Sequence, residues 1–178
     1  MGKKIVVITG SPRKNGNSLA MTKAFIEAAE ARGHSVTRFD AVSLNVGGCH
    51  ACETCFRSGK ACSFDDDFNS IAPAILEADT IVYTMPVYWY SIPAKIKAVI
   101  DKTFPFGMEG ENIAGKGCAL ICCCAEEDMS VMDGVRIPIE RKREKMFSKI
   151  SSAPTSPVIS PKNERASKKA CNMALPGS

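Results

Sequence analysis

The chain has 178 residues, 45% hydrophobic and 24% charged, enough for one domain of roughly 150 residues that buries a core without disulfide staples. No apolar run approaches the roughly 20 residues of a membrane span, and Ile5–Ile8 is too short for the centre of a signal peptide, which predicts a soluble, cytoplasmic protein with no membrane contact. The net charge of +4 is unevenly placed: residues 1–140 hold fourteen Lys/Arg against seventeen Asp/Glu, and residues 141–178 hold nine against two. A body that is mildly acidic argues against nucleic acid as a partner.

In chain order, Lys3–Thr9 (KKIVVIT) is a short β-branched run, the pattern of a strand buried on both faces. The turn-rich stretch Gly10–Ser18 follows. Leu19, Thr22, Ile26 and Ala29 then recur at helical spacing up to Gly33. Ser35–Asp40 reads as a second strand, and residues 47–67 as an irregular, cysteine-bearing loop. Phe68, Ile71, Ile75 and Ala78 mark a second helix, in which Pro73 is awkward outside the first turn; Asp65, Asp66 and Asp67 suit the positive end of that helix. Thr80–Met85 is a third buried strand. Ile96, Val99, Ile100 and Thr103 form the face of a third helix, Lys116–Cys124 a fourth strand, and Met132, Val135 and Ile139 open a fourth helix. The alternation predicts an α/β fold with a parallel sheet covered on both faces, whose ligands bind beyond the carboxyl ends of the strands.

The chain divides into a folded region, residues 1–140, and an atypical basic extension, residues 141–178. The extension is rich in Ser, Pro and Lys, and Pro157 and Pro161 bracket its one apolar pair, Val158-Ile159. No well-packed fifth strand is expected there, only a mobile tail.

Residues 10–18 (GSPRKNGNS) join a buried strand to a helix, so backbone N–H groups and the helix's positive end can meet one anion. Gly16 can take positive φ, Asn17 or Ser18 can cap the helix, and the Ser11 and Ser18 hydroxyls can each bond a phosphate oxygen. It is neither a P-loop nor G-x-G-x-x-G. A capped turn with surface Arg13 and Lys14 has the same pattern. Tyr88, Trp89 and Tyr90 follow the third strand, where aromatic faces suit a flat apolar ring; on the residues alone, packing beneath the third helix is the favoured reading, since aromatic clusters are usually core.

The string SPRKNGNS after IVVITG, with PVYWYSIPAKIKAVIDKTF after TIVYTM, resembles the flavodoxin-like NAD(P)H-dependent FMN reductases, and within them the iron–sulfur flavoproteins, over roughly residues 3–140. The resemblance implies a flavodoxin-like three-layer sandwich with sheet order 2-1-3-4 and an FMN-dependent oxidoreductase. In it Ser11, Arg13, Asn15, Gly16, Asn17 and Ser18 cradle the FMN phosphate. Pro86, Val87, Tyr88 and Trp89 line the isoalloxazine ring, and Cys124 to Glu126 reach its polar edge. NAD(P)H or a redox protein supplies electrons, and a homo-oligomer is implied. No side chain stands out as a general acid or base, so no catalytic residue is named; a non-enzymatic electron carrier is the alternative, and a degenerate copy lacking a complete fold is a further one.

Nine cysteines are many for one domain. Cys49-x2-Cys52-x2-Cys55-x6-Cys62 puts four thiols within fourteen residues, the ligand count of a [4Fe–4S] cluster; structural zinc sites more often use two separated pairs. The iron–sulfur flavoproteins carry a compact motif of this kind in the same segment. Reactive or inert thiols, or a loop over the flavin, remain open readings. Cys118, Cys122 and Cys123 read as core, because consecutive strand residues alternate faces, and His50 as a surface neighbour.

Overall fold

The computed structural model describes residues 2–107, 113 and 115–146. The expectations for the basic extension, a missing fifth strand and a mobile tail, fall beyond residue 146 and lie outside the described residues. The elements follow in the expected alternation: β1 (Lys4–Thr9), α1 (Asn17–Ala31), β2 (Ser35–Asp40), α2 (Phe68–Glu77), β3 (Thr80–Pro86), α3 (Ala94–Lys102), β4 (Gly117–Cys123) and α4 (Asp133–Met146). Single 3-10 turns precede β4 (Phe104–Gly107) and α4 (Met129–Met132).

The four strands form one parallel sheet in the order β2-β1-β3-β4. The register aligns the carboxyl ends: Thr9 lies opposite Asp40 on one side and Thr84 on the other, and Pro86 opposite Cys123. Successive β1 side chains serve opposite faces, as a strand requires. Val6 and Ile8 join the core made with Ile71 and Ile75 of α2, Ile96 and Val99 of α3, and Val135 and Ile139 of α4. Ile5 and Val7 meet Phe25 and Ala29 of α1 together with Val82. The three layers are therefore one described helix, the sheet, and three helices.

Helix α1 stops where the sequence expects. The Gly33 amide donates to the Glu30 carbonyl (2.8 Å) and that of His34 to the Ala29 carbonyl (3.1 Å), with Gly33 at φ +80°. That is a Schellman termination, which glycine enters without steric cost. Pro73, by contrast, lies in the interior of α2 and not in its first turn; its side chain is exposed, so the ring meets solvent while the backbone loses one helical donor.

Candidate functional site

All four strand-to-helix connections leave the carboxyl edge of the sheet, and the first, third and fourth spring from neighbouring strands. The connection after β1 is anchored at its root: the Gly10 amide donates to the Thr84 carbonyl at 2.9 Å. A Cβ on Gly10 would lie 2.4 Å from the Ile96 side chain, so only glycine lets α3 pack this close. Pro12, Arg13, Lys14 and Asn15 are exposed, and the Gly16 amide closes the turn on the Arg13 carbonyl (3.2 Å).

Two expectations for this loop are corrected. Gly16 itself is the N-cap of α1, with φ −85° and ψ 160°, and no side chain caps the helix, neither Asn17 nor Ser18. Glycine is needed at 16 for space and not for positive φ: its Cβ would meet that of Arg13 at 3.1 Å. The amides of Leu19 and Ala20 donate to the Gly16 carbonyl. That of Asn17 has no backbone acceptor among the described residues, which leaves it available at the helix's positive end, whereas that of Ser18 is directed at the Cys123 sulfur.

The Ser18 side chain is buried and turned to another use. Its Oγ lies 2.9 Å from Cys123 Sγ, and its amide is directed at the same sulfur. Beside it the Thr22 hydroxyl donates to the Ser18 carbonyl (2.7 Å) and meets the Thr84 hydroxyl at 2.8 Å. Thr9 completes this polar seam at the end of β1. Its Oγ1 is buried with no hydrogen-bond partner, alone in this among the described residues. An orphaned hydroxyl costs roughly 1–3 kcal/mol if nothing bonds it, and it stands at the root of the loop that leads to the open Asn17 amide. Nothing in the sequence pattern flagged Thr9, Thr22 or Thr84; their polarity in an apolar run was the signal available.

The connection after β3 begins with the Val87 amide donating to the Cys123 carbonyl (2.8 Å). Tyr88 and Ser91 then exchange backbone hydrogen bonds at 3.1 and 2.9 Å, closing a turn whose two central residues, Trp89 (φ 47°) and Tyr90 (φ 59°), both have left-handed backbone. Non-glycine residues seldom hold that conformation, and it concentrates at functional sites. Trp89 is 92% exposed, Tyr90 55% and Tyr88 43%, so the reading in which these rings pack beneath α3 is excluded. Gly134 in the first turn of α4 supports the turn, since a Cβ there would fall 1.8 Å from the Tyr90 carbonyl oxygen. After β4, the half-buried Cys124 thiol donates to the Glu126 carbonyl (3.2 Å). Asp128 accepts from the amide and hydroxyl of Ser130, which holds its carboxyl below the usual range. As expected, Cys122 and Cys123 are buried; burial pushes the Cys122 thiol up to about 12.

The cysteine segment leaves the same edge and is pinned at both ends. The Asn45 amide donates to Asp67 (2.6 Å), that of Asp67 to the Asn45 carbonyl, and that of Gly47 to Asp66 (2.9 Å). Ala51, Glu53 and Phe56, which alternate with the cysteines, have φ between 51° and 62°, so the chain curls at each. His50 stacks on Phe64 at 4.2 Å on the surface, as expected. Burial raises the Cys55 thiol, with further contributions from Cys52, Cys62 and Cys49, which places the four sulfurs in one neighbourhood. None of the eight described cysteines is in a disulfide, and no three metal-ligating side chains among the described residues stand at ligating separation. Donors aim at sulfur: the Ala51 amide at Cys49 (3.5 Å) and the Lys102 ammonium at Cys62 (3.6 Å). Lys102 went unnoticed in the sequence, because a lysine at helical spacing reads as a solvated face, and its partner Asp66 reads there only as an acid at the start of α2.

Known proteins are similar to this chain in sequence and in fold. A relative called an iron-sulfur flavoprotein, from Archaeoglobus fulgidus, is 34% identical over 104 residues, covering 58% of this chain and 47% of its own. Another of that name, from Methanosarcina thermophila, is 36% identical over 100 residues, covering 56% and 52%. The chain thus spans about half the length of these relatives. Among solved structures, an NAD(P)H:quinone oxidoreductase from Methanothermobacter marburgensis superposes with a TM-score of 0.68 at 16% identity, covering 97% of this chain and 92% of its own. An azoreductase from Bacillus anthracis gives 0.65 at 19%, covering 96% and 99%. At such identities these two establish the flavodoxin-like fold. Residues 3–132 match the NADPH-dependent FMN reductases, and by that match the chain belongs to the NADPH-dependent FMN reductase family.

Proposed function

We propose that this chain is an FMN-dependent oxidoreductase whose flavin sits where the connections after β1, β3 and β4 meet. The observation that carries the reading is the state of the first connection: an open helix-start amide at Asn17, exposed Arg13 and Lys14, and a buried unpaired Thr9 hydroxyl at its root. That set suits a monophosphate, which needs converging donors and no P-loop lysine. Ser11, Arg13, Asn15, Gly16, Asn17 and Ser18 hold the phosphate, with the Asn17 amide as the open helix-start donor. Pro86, Val87, Tyr88 and Trp89 take the ring, and Cys124 and Glu126 its polar edge. The flavin, when bound, supplies hydride and single-electron chemistry; the chain positions it and shields it from water, and no side chain is assigned as catalytic.

Cys49, Cys52, Cys55 and Cys62 fit a [4Fe–4S] cluster by donor chemistry: four unpaired thiols in one neighbourhood, on backbone that curls between them, with N–H donors already facing two of the sulfurs. Their present separation requires the exposed segment to close on binding. Electrons come from NAD(P)H or a redox protein. The exposed Trp89 and Tyr90 favour contact with a large partner and so keep the electron-carrier reading in play. Among the described residues β4 has a neighbouring strand on one side only, which favours a homo-oligomer.

Titration of the flavin-free protein with FMN and with riboflavin tests the proposal. FMN binding at least tenfold tighter than riboflavin supports the phosphate loop; equal or absent binding overturns it. NAD(P)H oxidation with a dye acceptor and no protein partner separates enzyme from carrier.

A further inference from the structure

We propose that Cys123 is a positioning residue that stands in for the phosphate: its sulfur engages the hydroxyl and amide of Ser18, and phosphate binding moves Ser18 from that sulfur to a phosphate oxygen. Cys123 thereby sets how strongly the phosphate is held. This rests on the reading of the first connection as a phosphate site.

The side chains of β1, β3 and β4 that meet α1 are Ile5 and Val7, Val82, and Ala119 and Ile121. Strand alternation carries that face on to Thr9, Thr84 and Cys123 at the carboxyl ends. All three are buried, and so are Ser18 and Thr22, which lie one turn apart on α1. Five polar side chains thus share one interior seam beneath the first turn of the helix. Thr22 bonds the Ser18 carbonyl and the Thr84 hydroxyl. Cys123 Sγ lies 2.9 Å from Ser18 Oγ and is also the target of the Ser18 amide. The Thr9 hydroxyl, on the same face, is alone among the described residues in being buried without a partner. The seam is one partner short at the strand end from which the loop departs, and that points to a ligand oxygen.

A thiol is a weak donor and a weak acceptor. The sulfur therefore satisfies the buried Ser18 groups without holding them fast. A phosphate oxygen is charged, and hydrogen bonds to it are about twice as strong as neutral ones, so the exchange runs downhill. The thiol left behind loses little, because an unpaired cysteine behaves as a small apolar group. Serine at 123 holds Ser18 more tightly than sulfur does, and alanine does not hold it at all. The bond to sulfur opposes the phosphate and has no bearing on the flavin ring.

Flavin-free, full-length wild type, Cys123→Ala and Cys123→Ser are titrated with FMN and with riboflavin. Cys123→Ala is expected to bind FMN about fivefold tighter than wild type, the worth of a weak hydrogen bond that no longer has to break. Cys123→Ser binds FMN no tighter than wild type, and riboflavin affinity is the same in all three. Weaker or unchanged FMN binding by Cys123→Ala overturns the inference, as does a change that riboflavin shares equally. A second measurement needs no alanine variant. The S–H stretching band of Cys123, assigned by its absence from the Cys123→Ser infrared spectrum, is expected to shift with FMN and with inorganic phosphate but not with riboflavin. A band unmoved by bound FMN overturns the inference. Wild type that binds FMN and riboflavin alike removes the phosphate-site reading and this inference with it. Wild type that prefers FMN, with a flat variant series and an unmoved band, removes the inference alone.

Discussion

Thr22 shows how a single hydroxyl links packing to ligand binding. It fastens the first turn of α1 to β3 through the Ser18 carbonyl and the Thr84 hydroxyl, and so fixes the start of the helix where the phosphate is proposed to bind. Thr22→Val keeps the shape and strands the Thr84 hydroxyl; it is expected to cost about 1–2 kcal/mol in urea unfolding and to weaken FMN more than riboflavin. Trp89 is the opposite case. With 92% of it exposed, Trp89→Asn is expected to leave stability within about 0.5 kcal/mol, since Asn tolerates a left-handed backbone, while FMN retention falls; an unchanged affinity removes Trp89 from the ring site. The thiols divide by burial: Cys49 and Cys52 are exposed and Cys122 is 1% exposed. Maleimide labelling of the metal-free protein at pH 8, read by mass spectrometry, should modify Cys49 and Cys52 first and Cys122 last. Ser, Asn and Gly after a buried strand marked the loop as a candidate, although a plain capped turn carries the same residues. The cap at Gly16 and the burial of Ser18 were not legible, since both depend on how closely Arg13 and Cys123 approach.

The strands and the end of α1 were readable because they rest on local chemistry: β-branched runs for one, a glycine at positive φ for the other. Helix–loop contacts were not. Gly134 reads in sequence as a weak point in a helix, and its use appears only where α4 meets the Tyr90 carbonyl. Gly134→Ala forces backbone apart and should cost about 1–3 kcal/mol while loosening the turn at Trp89. A normal melting temperature for that variant would show that the support is unnecessary. Pro73 was the misplaced element: its apolar neighbours Ile71, Ala72 and Ile75 are buried and carry α2 through the proline, so packing outweighs the lost donor. Pro73→Ala, on the exposed side, is expected to raise stability by about 1–3 kcal/mol with FMN affinity unchanged.

At the scale of the whole molecule, one buried amine gives the fold a pH signature. Lys142 of α4 reaches the buried Tyr83 hydroxyl (3.4 Å) and the Thr103 hydroxyl, and burial lowers its pKa from 10.5 to about 8. Between those values the unfolded chain binds a proton that the folded chain has released, so this group's contribution to stability rises with pH across that window. Cys122 acts in the other direction. Its folded pKa of about 12 lies above its ordinary 9.0, so its contribution is lost as pH climbs from 9 towards 12. The clean interval is pH 8–9, where urea unfolding of Lys142→Met should lack the rise that wild type shows; parallel slopes would exclude Lys142 as its source. The sequence alone determined the succession of strands and helices and the parallel sheet, because periodicity and turn residues act over a few neighbours. Only the tertiary structure decided which polar groups are buried and with whom: Thr9 left unpaired, Ser18 turned to Cys123, Lys102 enclosed beside Asp66 and Cys62. Burial and pairing arise from residues tens of positions apart meeting in space, and no local pattern encodes that meeting.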